Sequence, residues 1–403
     1  MARKMKDSGI EWIGEIPEGW EVVPVKRLCT MQAGKNLTSE QIAPEGTYPV
    51  YGGNGIRGFF SDYNCDGKFL TVGRQGALCG NVHKINGKVW ATEHAVITTP
   101  SSYTLLDFLY YLLIGMDLNQ YVSSTAAQPG LAVGTLLNLK TCYPCSTLEQ
   151  TQISNYLNAK CSEIDDLLAS VRSSIEEYKK LKQAVITQAV TKGVRGEREI
   201  KESKLPWASK IPKAWNICAI RHIMFECKER TKDGHEEQLS VTQQFGIIKS
   251  SDASIANPSL SLDGWRIVAI GDIVFNKYKA HSGVFFVSPF SGIVTFNYSV
   301  YRCFPNCYAK YFEYQYKTHG CISEFRTRMH GVGNSISPLY TKDLMKIKVV
   351  CPPLDEQKEI ANYLDAKCAE IDKLIAKKEQ LVKELESYKK SLIYEVVTGK
   401  REV

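Results

Sequence analysis

A chain of 403 residues, 44% hydrophobic and 23% charged, is long for one domain and comfortable for two or more. No apolar run is long enough to span a bilayer, and the polar, basic residues 1–8 lack the apolar core of a secretory signal, so the cytoplasm is the expected compartment. The net charge of +7 permits a polyanionic partner without requiring one.

Thirteen cysteines, an odd number spread through a large chain, do not resemble a secreted disulfide framework. Cys142 with Cys145, and Cys303 with Cys307, have spacings that a zinc site could use. Joining the two pairs requires them to meet across different domains, so two pairs of core thiols is the simpler reading.

The chain begins with a leader, Trp12-Ile13-Gly14-Glu15-Ile16-Pro17-Glu18-Gly19-Trp20. Residues 20–146 follow with short apolar runs punctuated by glycine: YPVYGGNGIRGFF at 48–60, FLTVGRQGALCG at 69–80 and KVWATEHAVIT at 88–98. Alternating apolar residues with Gly and Asn turns predict a β-rich core, and residues 105–113 and 118–122 read as helical. Residues 148–191 then hold neither Gly nor Pro and read as one long helix, with Ser146 and Glu149 placed for a capping box.

From here the chain repeats itself. The leader returns as Trp207-Ala208-Ser209-Lys210-Ile211-Pro212-Lys213-Ala214-Trp215, a constant 195 residues later. A second β-rich region occupies 215–352, containing IVAIGDIVFNKYKAHSGVFFV at 267–287 and GIVTFNYSVYRC at 292–303. After Pro352-Pro353 a second long helix begins. Its DEQKEIANYLDAKCAEIDKLIA aligns without a gap on LEQTQISNYLNAKCSEIDDLLA of the first, 207 residues earlier (Asn155 to Asn362).

In the first helix apolar residues recur at Ile153, Leu157, Ile164, Leu167, Val171, Tyr178, Leu181 and Val185, with Lys160 and Ser174 in the remaining seam positions. In the second they recur at Ile360, Leu364, Ile371, Leu374, Leu381, Leu385, Tyr388 and Leu392. A period of about 3.5 is the seam of two helices wrapping each other. Each helix leads into the other half's domain, so a pseudo-twofold ring with the chain ends close together makes the pair antiparallel. The fold class is α+β: two β-rich α/β domains joined by a long antiparallel coiled coil. The expected boundaries are 1–146 and 193–352 for the domains with their leaders, and 147–192 and 353–403 for the helices. A rod of on the order of 50–65 Å, at ~1.5 Å per residue, would hold the domains at least one duplex turn apart, roughly 34 Å.

The strings YPVYGGNGIRG, VGRQGALCGNV with WATEHAVI after it, AAQPGL at 126–131, GDIVFNKYKAHSGVFFVSPFSGIVTFNYSVYR and the paired LEQ and DEQ helices resemble the specificity subunits of bacterial type I restriction-modification enzymes. The likeness spans essentially the whole chain. It departs from the pattern where CYPCSTLEQ replaces a proline-rich exit like that of 352–357, a local structural variation. The resemblance implies that each domain reads one half of a split, asymmetric double-stranded DNA sequence. It implies that the helices set the spacing and dock two methylation subunits and the restriction subunits. Those partners would bring S-adenosylmethionine for adenine methylation and ATP with magnesium for translocation and cleavage, so no cofactor or metal is expected on this chain.

Side-chain chemistry selects the candidate DNA contacts. Arg reads guanine, Asn and Gln read adenine, and Lys, Arg and backbone amides position phosphate. In the first domain the candidates are Asn54, Arg57, Arg74 and Gln75, set among glycines that allow close backbone approach. In the second, Lys277, Lys279 and His281 would share one face of a strand, and Arg326, Arg328, His330, Asn334 and Ser335 would crowd a loop. His94 reads more simply as a satisfied core residue. No Asn/Asp-Pro-Pro-aromatic methyltransferase signature, P-loop or His-Glu-x-x-His is present, so no catalytic residue is expected. A coiled-coil protein-interaction scaffold without DNA readout is the rival reading, and salt-dependent duplex binding separates the two.

Overall fold

The computed structural model describes residues 3–76, 79–122, 130–243, 245–252, 262–329 and 338–403. The chain folds as two compact units, one of Met1–Ser173 with Lys378–Val403 and one of Ser174–Lys377. The two long helices, Thr147–Lys192 and Leu354–Val397, each contribute to both units.

In the first unit the leader closes as a hairpin, Met5–Asp7 against Glu15–Pro17. A four-stranded antiparallel sheet has the order Cys29–Ala33, Ala95–Pro100, Lys68–Gly73, Val82–Asn86. The strand Lys68–Gly73 is buried at every position but its first, because its sheet is covered and not half-solvated. Strand Trp20–Pro24 pairs with the exit strand Lys140–Pro144. The helix Leu106–Gly115 and the 3-10 turn Leu118–Tyr121 fall where the sequence places them. Trp20, Phe108, Leu112, Ile153, Leu157, Leu392 and Val396 share one core.

The second unit repeats the plan despite its different sequence. Its sheet has the order Met224–Cys227, Tyr298–Cys303, Ile273–Asn276, Phe285–Val287, again antiparallel. Strand Asn216–Ala219 pairs with the exit strand Lys348–Cys351. Its core gathers Trp215, Phe275, Phe285, Tyr311, Phe312, Tyr316, Val190, Ile360 and Leu364, with the Phe275 and Phe285 rings stacked at 4.3 Å.

The helices run antiparallel within each unit. In the first, Asp165 meets Lys389 at 2.7 Å and Arg172 meets Glu386 at 2.5 Å; in the second, Lys182 meets Asp372 at 2.6 Å and Arg195 meets Glu359 at 2.7 Å. Exposed pairs of this kind contribute about 0.2–1 kcal/mol each, so they mark the register more than they hold it. The seam differs from the expected one. Leu167, Leu181, Leu374, Leu381 and Tyr388 are exposed, while Cys161, Leu168, Ile175 and Cys368 are buried. Cys161 and Ile175 stand one residue beyond the expected Lys160 and Ser174, and Lys160 pairs instead with Glu163 at 2.8 Å. The reason is that each helix packs on a domain core as well as on its partner. The buried stripe therefore follows the straight helix's 3.6-residue period and drifts off a 3.5-residue seam.

The repeated Glu-Gln pair makes the joints. Glu149 accepts the Trp20 indole N–H at 3.0 Å and pairs with Arg3, and Glu356 accepts the Trp215 indole N–H at 2.9 Å and pairs with Arg198 at 2.6 Å. Each arginine lies over its tryptophan, 5.6 Å from the ring centre. The capping box is half made: the Glu149 N–H donates to Ser146 Oγ at 3.4 Å, but the Glu149 carboxylate goes to the leader. Gln150 and Gln357, both fully buried, accept from the Leu105 and Tyr308 N–H groups at the start of each domain helix. They donate to the exit carbonyls of Pro144 and Pro352. The second helix finishes at the N-terminal leader of the same unit: the Tyr394 hydroxyl donates to the Trp12 carbonyl at 2.9 Å, so the chain ends do come together.

Candidate nucleic-acid interface

In the first unit the strands Tyr48–Gly52 and Gly55–Phe60 form a hairpin whose two-residue turn is Gly53-Asn54. A β-carbon at Gly73 would sit 1.8 Å from the Gly53 carbonyl oxygen, and one at Gly53 would sit 2.8 Å from that of Gln75. The glycines therefore let the hairpin press its backbone onto the Gly73–Gly76 segment. Between them lies a cleft of about 580 Å³ lined by Gly53, Asn54, Ile56, Arg57, Gln75 and His94.

The cleft presents amide, guanidinium and imidazole groups beside the exposed Ile56. Asn54 and Arg57 are exposed, and Asn54 Oδ1 accepts from Asn81 Nδ2 at 2.6 Å. Arg74 is held from both sides by its backbone, its N–H donating to the His94 carbonyl at 3.0 Å and its own carbonyl accepting from Leu131 at 2.8 Å. Its Nε is buried and finds no hydrogen-bond acceptor among the described residues. His94 lines the cleft half-exposed, with Nε2 3.2 Å from Glu93, and so is not the core histidine that its apolar neighbours suggested. Three of the four sequence candidates, Asn54, Arg57 and Gln75, line this cleft, and Arg74 adjoins Gln75. Sequence reasoning missed Asn81 and His94; the GNV and TEH triplets beside glycine-rich turns were the available signals.

The second unit corrects two expectations. Residues Lys277–Ser282 form a 3-10 helix, not a strand, so Lys277, Lys279 and His281 do not share a strand face. The local cause is Asn276, whose side chain accepts the Tyr278 and Lys279 N–H groups and turns the chain. Arg326 and Arg328 lie in the last turn of the helix His319–Arg328, not in a loop. The two groups do meet, since Arg326 Nη2 donates to the His281 carbonyl at 3.3 Å. Lys279 is exposed. Lys277 is half-buried, with Nζ donating to the Phe296 carbonyl at 3.3 Å; burial first, then Arg266, holds its ammonium below the ordinary lysine range. His330, Asn334 and Ser335 lie outside the described residues.

The cysteine pairs do not form the site that their spacing allowed. Cys142 is buried, donates to the Val397 carbonyl at 3.4 Å and is pushed up to about 12 by burial, whereas Cys145 is exposed. Among the described residues no group of three or more His, Cys, Asp or Glu side chains is arranged to hold a metal ion, and no helix is long and apolar enough to cross a membrane.

One frame built twice, carrying two unlike polar faces, defines a duplicated recognition protein. Residues 17–177 and 248–384 match the family described as the type I restriction modification DNA specificity domain, and the chain belongs to that family. It is 41% identical over 148 residues to the type I restriction enzyme EcoprrI specificity subunit of Escherichia coli, a match covering 36% of this chain and 35% of that one. It is 25% identical over 427 residues to a putative type I restriction enzyme MjaX specificity subunit of Methanocaldococcus jannaschii, covering 96% and 95%. Its fold is shared with a solved chain reported for complex assembly and conformational transition of the type I R-M system. The TM-score is 0.67 at 12% identity, covering 96% of this chain and 99% of that one. The chain is thus a type I restriction-modification specificity protein by family, with the fold of that solved chain.

Proposed function

We propose that the two units read different halves of one asymmetric, bipartite duplex sequence, and that the chain itself carries no catalysis. The observation that supports this most is the repetition of the frame with divergent faces: the cleft of Asn54, Arg57, Gln75 and His94 in one unit, and Lys277, Lys279, His281 and Arg326 in the other. Arg74 supplies a positioned donor for phosphate or a base edge.

The helices offer the partner surface. Leu167, Leu381 and Tyr388 are exposed in the first unit, and Leu181 and Leu374 in the second. Leu167 matches Leu374 in the repeat, and Leu181 matches Tyr388. Two copies of one apolar patch fit two copies of one partner, which the family reading makes two methylation subunits. S-adenosylmethionine, and ATP with magnesium, would then be bound by the methylation and restriction subunits.

The test is duplex binding by the chain with its methylation partner across a salt series. A reader of DNA loses affinity steeply as salt rises, with a log–log slope near −0.9 per phosphate neutralised. Salt-insensitive binding, or none, would favour a protein-interaction scaffold.

A further inference from the structure

Three thiols gather at one joint of the second unit. Cys218 lies on the strand Asn216–Ala219, and Cys351 ends its partner strand Lys348–Cys351. Cys218 stands opposite Val349, two residues before Cys351, so both side chains leave the same face of the ladder. Cys307 arrives from the turn before the helix Ala309–Tyr316. The next residue, Tyr308, donates its N–H to Gln357 Oε1 at 2.8 Å, and Gln357 Nε2 lies 3.9 Å from Cys351 Sγ. One glutamine side chain therefore spans from the Cys307 turn to Cys351. All three cysteines are half-buried against the same core.

The Cys218 and Cys307 thiols neighbour the Cys351 sulfur and hold it below the ordinary thiol range, while the Cys307 thiol itself donates to Asn306 Oδ1 at 3.7 Å. The same contacts push Cys218 and Cys307 far above it. The Gln357 amide N–H, aimed at Cys351 Sγ from 3.9 Å, favours negative charge on that sulfur, and the thiolate is the reactive form of cysteine.

The repeat supplies an internal comparison. At the positions matched by the two offsets the first unit has Val23 and Pro144. The residue preceding Leu105, whose N–H makes the equivalent bond to Gln150, is Thr104. The frame is built without thiols there, so the cluster is not a requirement of the fold.

We propose that Cys351 and Cys307 form a peroxide-sensitive modification site peculiar to the second unit. The Cys351 thiolate attacks one oxygen of hydrogen peroxide, breaking the O–O bond and giving a sulfenic acid, with hydroxide leaving as water after protonation. The Cys307 thiol then attacks the sulfenic sulfur, and its proton leaves with the displaced hydroxide as a second water. Two thiols and one peroxide become one disulfide and two waters. Cys307 is the resolving partner because the strand diagonal from Cys218 to Cys351 spans roughly 7–8 Å. A disulfide needs Cα atoms about 4.4–6.8 Å apart. The link would fasten the turn that opens the domain helix to the residue just before Pro352-Pro353 and the second long helix.

The experiment treats the native full-length chain with increasing hydrogen peroxide, blocks remaining thiols by alkylation, and maps peptides without reduction. The peptide joining Cys307 to Cys351 is expected to be the first cross-link and to disappear on reduction. C307S should leave Cys351 as a sulfenic acid trapped by dimedone, C351S should block the link, and C218S should retain it. Thermal melts certify each variant, and C351A replaces C351S if the serine unfolds. The proposal is overturned if another pair of the thirteen cysteines links first. It is also overturned if Cys307 and Cys351 both stay fully alkylatable at a peroxide dose that oxidises the exposed Cys145.

Discussion

Replacing Glu356 by Gln tests the joint at the start of the second long helix. The Glu356 side chain is 7% exposed and accepts from the Trp215 indole at 2.9 Å and from Arg198 at 2.6 Å. Both donors meet the same oxygen, Oε2, so glutamine can keep both hydrogen bonds through its amide oxygen but removes the negative charge that answers the guanidinium. Among the described residues Arg198 has no other ion-pair partner, and its Nε and Nη2 are already buried without hydrogen-bond partners. The loss is the charge of a largely desolvated ion pair, which leaves Arg198 unneutralised, about 2–3 kcal/mol. Arg195 loses little, since it keeps Asp355 at 2.9 Å and Glu359 at 2.7 Å. The same change at Glu149 has the same chemistry in a wetter place, with side-chain exposures of 26% for Glu149 and 30% for Arg3. It should cost about 1 kcal/mol. At ~2–4 °C per kcal/mol for a unit of this size, calorimetry should show E356Q melting roughly 4–12 °C below the parent and E149Q only a few degrees below. A double-mutant cycle of E356Q with R198M should return a coupling of at least about 1 kcal/mol. Equal losses at the two glutamates, or additive effects in the cycle, would refute the claim that burial sets the strength of this joint.

Other outcomes follow from the same contacts. R57A should weaken binding to the cognate duplex by about 1–3 kcal/mol if it reads a base, relaxing the preference in one half-site and leaving the other intact, as methylation mapping would show. Paired L167E and L374E substitutions lie on exposed positions, so they should move the melt by no more than about 2–4 °C while abolishing co-purification with the methylation subunit. Burial raises the Glu313 carboxyl, but Lys317 and Lys310 outweigh it, and the net position lies below the ordinary glutamate range. A carboxylate depressed in the folded state stabilises above its unfolded pKa, and that contribution is lost as pH falls through the folded value. E313Q should therefore flatten the acid limb of a stability–pH profile below about pH 4.5, and an unchanged limb would remove Glu313 from that account.

The doubled frame was legible because its signal is redundant: the aligned NYL, AKC and EID triplets and the Trp-Pro-Trp leader fix two long helices and two related domains. The seam was misread by one residue because periodicity reports that a helix has an apolar face, not how many surfaces share it. Leu167 and Leu168 are equally apolar, and only packing on the domain core buries Leu168. The hairpin cleft was legible through Gly53-Asn54 and the glycines that meet it. Lys277, Lys279 and His281 were not, because the Asn276 side chain bonds back to the main chain and overrides the alternation. The thiol cluster was invisible in sequence, since Cys218, Cys307 and Cys351 come from three separate segments.

Gln150 and Gln357 touch their domains mainly through main-chain groups: an N–H at the start of the domain helix and a carbonyl at the exit strand. Such groups are common to any sequence that traces the same path. A whole domain can therefore be exchanged by recombination and inherit a working attachment at once, without a matching change in the rod. On the proposed reading, in which each unit reads one half-site, a single genetic exchange then brings a new target preference.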